Sequence, residues 1–480
     1  MPPKVSERRR HSSESIYPER VLRIHDTLTG ELVDFTPRIE GEVSLYACGP
    51  TVYDHPHLGH ARQALTYDVA RRYLEWRGFK VHHVANVTDI DDNIINRAMR
   101  EGTTESEIAT FWEAEYIAVM DELDILHPHD RPHATEWVQE MVDFIQVLID
   151  NESAYATPSG VYLRVRSVED YGALVHRTHD ELAEGAGARV EVDPDKEDPL
   201  DFALWKAAKA GEPTWDSPWG PGRPGWHIEC VAMSLGILGD GFDLHGGGND
   251  LVFPHHTNER AEAIAAGREF SRYWMHNAML NIDGEKMSKS LNNFQTIRDV
   301  LAQDPLNARA LRLLLLQTHY RKSVELNEEI LAQAREATRR IDAMVRKAVT
   351  SGVDVHGADR DETARDAFRD AMDHDFGTPE ALAGVFDLVR KANAALDAGD
   401  AAAAPLVATA VELATALGVP PELPGAGGAE DGDAEIDALV QARTEAKAAK
   451  DWAEADRIRD ELAAQGITVE DTPNGPIWYR

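Results

Sequence analysis

The chain has 480 residues, 43% of them apolar, which is enough for two or three domains that each bury a core. No apolar run reaches the roughly 18 residues needed to cross a bilayer, and residues 1–19 lack the apolar stretch of a secretion signal. We therefore expect a cytoplasmic protein without a membrane partner. The formal net charge of -35 argues against a phosphate-rich partner at ordinary salt.

The excess of acidic residues must be explained, because the chain has 84 acidic and only 49 basic residues, and the excess extends through every segment. Acidic residues on predicted helix faces, with few lysines, are typical of halophilic proteins from a high-salt cytoplasm. At molar salt the screening length falls to about 3 Å, so repulsion becomes short-ranged. A nucleic-acid partner therefore stays open, provided that stacking, shape and hydrogen bonds replace counterion release.

The first predicted unit is a strand, a helix and a second strand. Residues 43–48 form a short apolar run, and the pattern from Leu58 to Trp76 has helical period and ends at Gly78, a natural C-cap. Residues 81–87 predict the second strand. This order favours a right-handed crossover and a parallel sheet, which binds nucleotides at the carboxyl ends of its strands.

The composition then changes, because Pro, Gly and Trp cluster between residues 130 and 224, which indicates an insertion with hairpin-like runs such as 161–165. The α/β pattern resumes with a strand at 242–245, a helix at 253–266 and a strand at 273–282. Residues 296–417 are rich in Ala and Leu with helical spacing and no strand signal. Two helical stretches at 433–466 and a β-like tail follow.

The predicted fold is therefore α/β: a split Rossmann-type nucleotide-binding domain with an inserted subdomain, followed by an α-helical bundle and a small C-terminal α+β module. The expected boundaries are 23–129 and 225–295 for the two catalytic halves, 130–224 for the insertion, 296–420 for the bundle, 421–432 for a linker and 433–480 for the C-terminal module.

Two loops carry candidate phosphate-binding residues. His57 and His60 flank Gly59 at the predicted start of a helix, where free N–H groups and the helix dipole favour phosphate. Two solvated loop histidines would fit this motif equally well. The second loop, residues 286–290, contains two lysines that could neutralise a leaving pyrophosphate, although loop lysines are usually only solvated. Both motifs in this order resemble those of class I aminoacyl-tRNA synthetases.

Four further residues form a candidate metal set: Cys48, Cys230, His255 and Glu259. His255 and Glu259 stand four apart on a predicted helix and can therefore face one ion. Two thiolates, an imidazole and a carboxylate suit tetrahedral zinc and suit magnesium poorly. Each cysteine alone could equally be a small buried apolar residue.

Residues 46–54, 86–92, 223–230 and 245–248 resemble, in order, the sequence blocks of the cysteinyl-tRNA synthetase family. The resemblance implies one zinc ion per chain, held by Cys48, Cys230, His255 and Glu259, that grips the substrate's thiolate and rejects serine. It implies L-cysteine, ATP with Mg²⁺ and tRNA(Cys) as ligands, and a monomer is expected.

The resemblance also assigns roles to individual residues. His57 and His60 support the phosphates, and Lys286 and Lys289 stabilise the departing pyrophosphate. The remaining implied contacts are to ATP from Gly59, Met287, Ser288 and Ser290, and to the amino acid from Thr88, Trp226 and His245. Thr257 departs from the family, which commonly has Glu there, but it is not an implied ligand.

The C-terminal helices carry a local concentration of basic residues near two tryptophans, Trp452 and Trp478. Bases of an anticodon loop could stack on such aromatics, whereas a solvated helical hairpin would fit the same pattern. The run 447–460 resembles the family's anticodon-binding end, which favours the first interpretation. The basic residues are Arg443, Lys447, Lys450, Arg457 and Arg459.

Two rival functions stay open. A ligase that joins cysteine to an amino sugar shares the catalytic core but would not need the module after residue 432. A silent RNA-binding or zinc-structural descendant of a synthetase would not need His57, His60, Lys286 and Lys289.

Overall fold

The computed structural model describes residues 21–186, 194–282, 285–286, 296–355, 357–422, 433–472 and 475–479. Within this part of the chain, no helix combines the length and the apolar character that crossing a bilayer requires. Two large apolar cores account for most of the buried side chains, one between the central sheet and the helical bundle and one between the sheet and the inserted region.

The first segment forms a hairpin, two sheet strands and three helices. Its elements are β1 Arg23–Asp26, β2 Glu31–Asp34, β3 Glu42–Ala47, α1 Leu58–Trp76, β4 Lys80–Ala85, α2 Asp92–Glu101 and α3 Glu105–Glu122. β3 and β4 pair in parallel through the crossover helix α1. Gly78, just beyond α1, has φ +92°, so the predicted left-handed C-cap is present.

The inserted region is built on two helices and a four-stranded antiparallel sheet. Its elements are α4 Val138–Asp150, β5 Ala154–Thr157, β6 Gly160–Leu163, α5 His179–Ala186, β7 Phe202–Ala207 and β8 Gly222–Pro224. Consecutive strands pair in the order β5-β6-β7-β8. Short 3₁₀ turns at Ala134–Trp137, Val165–Ser167 and Ala173–Val175 connect these elements.

The chain then returns to the central sheet. The elements are α6 Trp226–Leu238, β9 Leu244–Gly248, α7 Thr257–Ala265, β10 Tyr273–Asn277, β11 Leu280–Ile282 and β12 Glu285–Lys286. β9 and β10 complete a parallel sheet of order β10-β9-β3-β4. The carboxyl ends of β3 and β9 therefore lie side by side, as the crossover argument predicts.

Two predicted elements of this segment are wrong in detail. The single strand expected at 273–282 is divided: β10 belongs to the central sheet, whereas β11 pairs with β12 and with a strand of the bundle region. The helix expected at 253–266 begins as α7 only at Thr257, after a π-helical turn at Val252–His256 in which Phe253 is extended. Pro254 explains this start, because proline lacks the N–H that a helix interior requires.

The bundle follows with six helices and one strand in its described residues. They are α8 Ile297–Leu301, α9 Asn307–Leu316, β13 Val324–Leu326, α10 Glu328–Thr350, α11 Glu362–Met372, α12 Thr378–Ala398 and α13 Ala403–Ala416. The expectation of no strand here is wrong, because β13 pairs in parallel with β11. A three-residue strand is too short to show an alternating pattern in sequence.

The C-terminal module consists of two helices and a hairpin, as predicted. Its elements are α14 Asp433–Ala448, α15 Trp452–Ala464, β14 Thr468–Thr472 and β15 Gly475–Tyr479. β14 and β15 pair antiparallel, and a small apolar core that includes Ile458, Leu462 and Trp478 joins helices and hairpin.

A buried ion pair joins α1 to the bundle. The Asp68 carboxylate accepts hydrogen bonds from Arg312 Nη2 at 2.6 Å and Arg72 Nε at 2.8 Å, and its other oxygen accepts from the Leu126 N–H at 2.9 Å. The Asp68 and Arg312 side chains are 0% and 1% exposed. Because neither charge can reach water, each depends on the other, and the pair fixes α9 against α1.

Candidate metal centre and nucleotide cavity

A cavity of about 550 Å³ opens at the carboxyl end of β3. The start of α1 contributes His57, Gly59 and His60, and the start of α6 contributes Trp226. Cys48 lies at its inner end, directly after β3. The sheet topology therefore produces a nucleotide-sized cavity where the sequence predicts one.

The four predicted metal ligands meet beside this cavity. Cys48 follows β3, Cys230 lies in the first turns of α6, His255 lies in the π-helical turn, and Glu259 lies in α7. The two sulfur atoms are 3.7 Å apart. One ligand atom from each of the four side chains lies within 4.8 Å of the others, and all four residues are buried.

These separations can be compared with the edges of a zinc tetrahedron. Bond lengths of about 2.3 Å to sulfur and about 2.0–2.2 Å to nitrogen and oxygen give edges of about 3.8 Å between sulfurs and about 3.5 Å from sulfur to nitrogen or oxygen. The observed values are 3.7 Å between the sulfurs, 3.6 Å from Cys230 to His255 Nε2 and 3.4 Å from Cys48 to Glu259 Oε1. The His255–Glu259 separation, 2.8 Å, is shorter than a tetrahedral edge and is the length of a direct hydrogen bond. The donor set and its spacing therefore fit zinc.

A second group shares Cys48 and Glu259 but adds His245 and His256 instead. His245 Nε2 is 2.5 Å from Glu259 Oε2, which is the length of a direct hydrogen bond. His245 thus holds one carboxylate oxygen, while the other oxygen faces the cysteines. The set with two sulfurs is the better zinc candidate, because zinc favours thiolate ligands.

Neighbouring histidines contact two of the candidate ligands, His255 and Cys48, from outside the group. His227 Nδ1 is 2.9 Å from His255 Nδ1, which leaves His255 Nε2 directed at the cysteines. His256 Nε2 is 3.2 Å from the Cys48 sulfur, and its Nδ1 is 2.7 Å from His276 Nε2. Such outer contacts fix the ring orientation of metal-binding histidines and adjust the charge on sulfur.

The charges within the group support an ionised carboxylate. Burial raises the pKa of Glu259, but the neighbouring His255 and His245 outweigh it and hold the pKa well below its usual range. For His255, burial lowers the pKa, but Glu259 and Cys230 raise it to about 10. In the absence of an ion, the proton on His255 balances the Glu259 carboxylate, and a metal cation that took its place would release that proton.

The three residues predicted for the amino-acid pocket lie in different surroundings. Trp226 lines the cavity, is 37% exposed and stacks on the His255 ring at 4.0 Å. Thr88 is buried, and its hydroxyl donates to Glu229 Oε2 at 2.7 Å. His245 is also buried and contacts Glu259, as described above. Their contact with an amino acid stays a prediction.

His57 and His60 stand together at the N-terminus of α1. Their rings are stacked at 3.8 Å, and His60 Nδ1 accepts a hydrogen bond from the His57 N–H at 3.1 Å. Burial and the neighbouring His57 hold the pKa of His60 well below its usual range, so its ring is neutral. Because Nδ1 is the acceptor, Nε2 carries the proton and is a donor.

Two glycines permit close approaches at the site. A Cβ on Gly49 would lie 1.6 Å from the carbonyl oxygen of Asn86, so only glycine lets the β3 and β4 ends approach this closely. A Cβ on Gly59 would lie 2.9 Å from the His57 ring, which would disturb the histidine stack.

The second predicted phosphate-binding loop is described only at its ends. Lys286 ends β12, whereas Met287, Ser288, Lys289 and Ser290 lie outside the described residues. Where the description resumes, Thr296 forms a β-bridge with His57, and the Ile297 N–H donates to the Pro56 carbonyl at 3.2 Å. The chain that follows this loop is therefore hydrogen-bonded to the segment that carries the predicted phosphate-binding histidines.

Three neighbours of the metal group were not predicted from the sequence: His256, Asn86 and His227. Asn86 Oδ1 accepts from the Gly49 N–H at 2.9 Å and lies 3.7 Å from the Cys230 sulfur. The adjacent histidines at 255 and 256 were a usable signal, because both cannot point into solvent when they start a buried helix. Asn86 gave no such signal.

The C-terminal basic residues are less open to a nucleic acid than the sequence suggested. Arg457 pairs with Glu454 and Glu461 on its own helix. Trp452 is 59% exposed and offers a stacking face, whereas Trp478 is buried and its indole N–H donates to Asp437 at 2.6 Å. The expectation that Trp478 stacks on a base is therefore wrong, because its ring fills the core of the module.

Comparison with known proteins gives the class of this fold and site. Residues 34–336 match the family model of the class I (C) tRNA synthetase catalytic domain, and residues 367–420 match that of the DALR domain. The fold resembles that of Mycobacterium tuberculosis methionyl-tRNA synthetase in complex with methionyl-adenylate, with a TM-score of 0.56 at 15% identity over 79% of this chain and 90% of the other. The predicted fold class is thus confirmed: the catalytic region is that of a class I aminoacyl-tRNA synthetase.

Comparison with relatives of similar sequence shows which family within class I the chain belongs to. The cysteine-tRNA ligase of Halorhodospira halophila is 48% identical over 471 residues, which cover 96% of this chain and 100% of the relative. The cysteine-tRNA ligase of Symbiobacterium thermophilum is 46% identical over 474 residues, 96% and 99% of the two chains. Residues 429–480 match the cysteinyl-tRNA ligase anticodon-binding domain model. The chain belongs to the cysteine-tRNA ligase family, as the sequence blocks predicted.

Proposed function

We propose that this protein activates L-cysteine with ATP to cysteinyl-adenylate and transfers the cysteine to the 3′ end of tRNA(Cys). The observation that carries the proposal is the buried group of Cys48, Cys230, His255 and Glu259 beside a nucleotide-sized cavity. A class I synthetase for another amino acid would have no need of two thiols and a carboxylate at this place. The group supplies a chemical reason for choosing cysteine.

Cys48, Cys230, His255 and Glu259 would hold one zinc ion per chain. When bound, zinc would take the substrate sulfur as a thiolate and discriminate against the hydroxyl of serine. His245 keeps Glu259 Oε1 directed at the group by holding Oε2, and His227 does the same for His255. Trp226 covers His255 on the cavity side and restricts what can approach the amino-acid end.

The start of α1 is suited to the phosphates of ATP, which would enter with Mg²⁺. The helix N-terminus offers N–H groups and a positive dipole end, and His60 Nε2 adds a neutral donor. Gly59 leaves the adjoining backbone open. In this arrangement the side chains position reactants and stabilise charge, and the amino-acid carboxylate itself attacks the α-phosphate.

Replacing Lys289 by alanine is expected to slow adenylate formation by orders of magnitude with little change in fold. The reason is that one contact made in the transition state can contribute about 3 kcal/mol. Single-turnover measurement of adenylate formation would check this, with Lys322→Ala as a control for removing a lysine outside residues 286–290. An unchanged rate would remove Lys289 from the mechanism. The roles of Lys286, Met287, Ser288 and Ser290 are proposed because residues 286–290 match the same family motif.

The remaining regions have proposed roles in binding tRNA. Residues 23–129 and 225–295 would form the two catalytic halves, and 130–224 would contact the acceptor end of the tRNA. Residues 296–420 would form a helical bundle, and 433–480, after the linker 421–432, would bind the anticodon. The exposed Trp452 supports base stacking in the last of these. A cytoplasmic monomer is proposed, and the net charge of -35 supports a high-salt, halophilic setting.

The proposal is tested by metal analysis combined with pyrophosphate exchange on the same preparation. We expect about one zinc per chain and exchange that depends on cysteine but not on serine. Acylation of tRNA compared with glucosaminyl-inositol then separates a tRNA ligase from an amino-sugar ligase. Exchange without cysteine dependence, or acylation of the sugar alone, would refute the proposal.

A further inference from the structure

The cavity continues past the catalytic histidines into a part that the proposed reaction does not use. Beyond His60 it is bounded by α1, β4, α3 and the chain after α3. We call this part the β4 lobe; its lining residues are Ala64, His83, Tyr116, Met120, Leu126 and Arg131. The Tyr116 ring lies edge-on to the His60 ring at 6.2 Å, so the lobe joins the nucleotide cavity.

His83 is the first sign that the lobe has a ligand. It is 7% exposed, and neither of its ring nitrogens has a hydrogen-bond partner among the residues that the structure describes. An unpaired buried polar group costs about 1–3 kcal/mol, so such groups normally have a partner. Burial and the nearby Arg71 lower the pKa of His83 to about 3, so the ring is neutral and offers one donor and one acceptor.

Arg131 is the second sign. Arg131 lines the cavity, and its charge lies close enough to His83 and Tyr116 to lower the pKa values of both. Within the described ranges it has no hydrogen bond or ion pair, although the chain has 84 acidic residues and most of its other arginines are paired. By contrast, Arg71, which also lowers the pKa of His83, is bonded to Glu75 and to the His127 carbonyl.

The other groups around the lobe do not cancel this charge. Asp121 at the rim is exposed and is paired with His127 at 2.8 Å, and Asp68 is paired with Arg312 and Arg72. Burial raises the pKa of Tyr116 to about 12, so its hydroxyl stays protonated and can donate. Arg131, Tyr116 and His83 therefore line a part of the cavity whose other lining residues include the apolar Ala64, Met120 and Leu126.

We propose that His83, Tyr116 and Arg131 form an oxyanion subsite in the β4 lobe, which binds the phosphate or carboxylate group of a small molecule. The guanidinium supplies the charge and the fork of donors, and Tyr116 and His83 supply two further donors. Ala64, Met120 and Leu126 surround the apolar part of the ligand. This site is separate from the metal group and goes beyond the proposed aminoacylation.

The test measures anion binding to the full-length protein by NMR of labelled histidine rings. Sodium phosphate and sodium acetate are titrated separately at constant ionic strength, and the His83 resonance is identified with His83→Asn. We expect a saturable shift of that resonance with at least one of the two anions, and the preferred one gives the ligand class. Arg131→Gln should weaken the binding by about tenfold or more, because it removes the charged hydrogen bonds.

Arg100→Gln is the matched control, since it removes the same charge from an exposed position on α2 outside the cavity. Tyr116→Phe should weaken binding less than Arg131→Gln, and His57→Asn should leave it unchanged. Any of three outcomes would overturn the subsite. These are no saturable shift with either anion, equal weakening by Arg131→Gln and Arg100→Gln, and loss of binding with His57→Asn alone. No aminoacylation is measured, so this failure would leave the proposed function intact.

Discussion

Replacing Cys230 by serine is expected to release the bound metal and to erode the preference for cysteine over serine. The Cys230 sulfur lies 3.7 Å from the Cys48 sulfur and 3.6 Å from His255 Nε2, so it forms one corner of the four-residue group. A serine hydroxyl stays protonated at neutral pH and is a poor zinc ligand. Loss of outer contacts alone costs 10–100-fold in metal affinity, so loss of a ligand should cost more than about 100-fold.

The measurement is zinc content after dialysis against a competing chelator, followed by pyrophosphate exchange with cysteine and with serine. Ser234→Ala is the matched control, because Ser234 is buried on the same helix and donates to the Val231 carbonyl rather than to the metal group. The control should keep its zinc and its selectivity. Zinc retained at the original affinity in Cys230→Ser would remove Cys230 from the ligand set.

Replacing Asp68 by alanine is expected to lower the free energy of unfolding by about 3–5 kcal/mol, because it leaves the Arg312 charge buried without its partner. Arg312 cannot turn to water: its side chain is 1% exposed. Urea unfolding followed by tryptophan fluorescence measures the change. Asp124→Asn is the control, since the Asp124 side chain is 63% exposed and its pair with Arg72 should contribute less than about 1 kcal/mol.

The same carboxylate predicts a dependence on pH. Burial raises the pKa of Asp68, but Arg312 and Arg72 outweigh it and hold the pKa below its ordinary value. A lowered pKa in the folded state means that the stabilisation is complete above the ordinary carboxyl pKa of about 3.9 and is lost as pH falls through the folded value. The stability difference between wild type and Asp68→Asn should therefore shrink on acidification below about pH 4. A difference that grows there would contradict the assignment.

Much of the catalytic core could be predicted because its signals are local. The spacing of apolar residues in α1, the C-cap glycine and the strands on either side of it determine a βαβ unit. The metal group could be proposed only by combining this topology with the family resemblance, since Cys48 and Cys230 are distant in sequence. The parallel register of β3 and β9 then brings the segments that carry them together.

The errors arose where tertiary contacts override local pattern. Residues 273–282 look like one apolar strand, but β11 leaves the central sheet to pair with β13, which lies more than forty residues further along the chain. Trp478 was predicted to stack on a base because it lies near the basic helices in sequence, yet the pairing of β14 with β15 directs its ring into a small core. The spacing of nearby residues identifies neither β13 as the partner strand of β11 nor the core into which Trp478 packs.

The central claim is that a zinc ion bound by Cys48, Cys230, His255 and Glu259 is the recognition element for the substrate sulfur. Zinc K-edge X-ray absorption of the purified protein, recorded with and without L-cysteine, tests this claim most directly. We predict two sulfur neighbours at about 2.3 Å in the free protein and a third when cysteine is added, but not when serine is added. A spectrum without sulfur neighbours, or one that cysteine leaves unchanged, would contradict it.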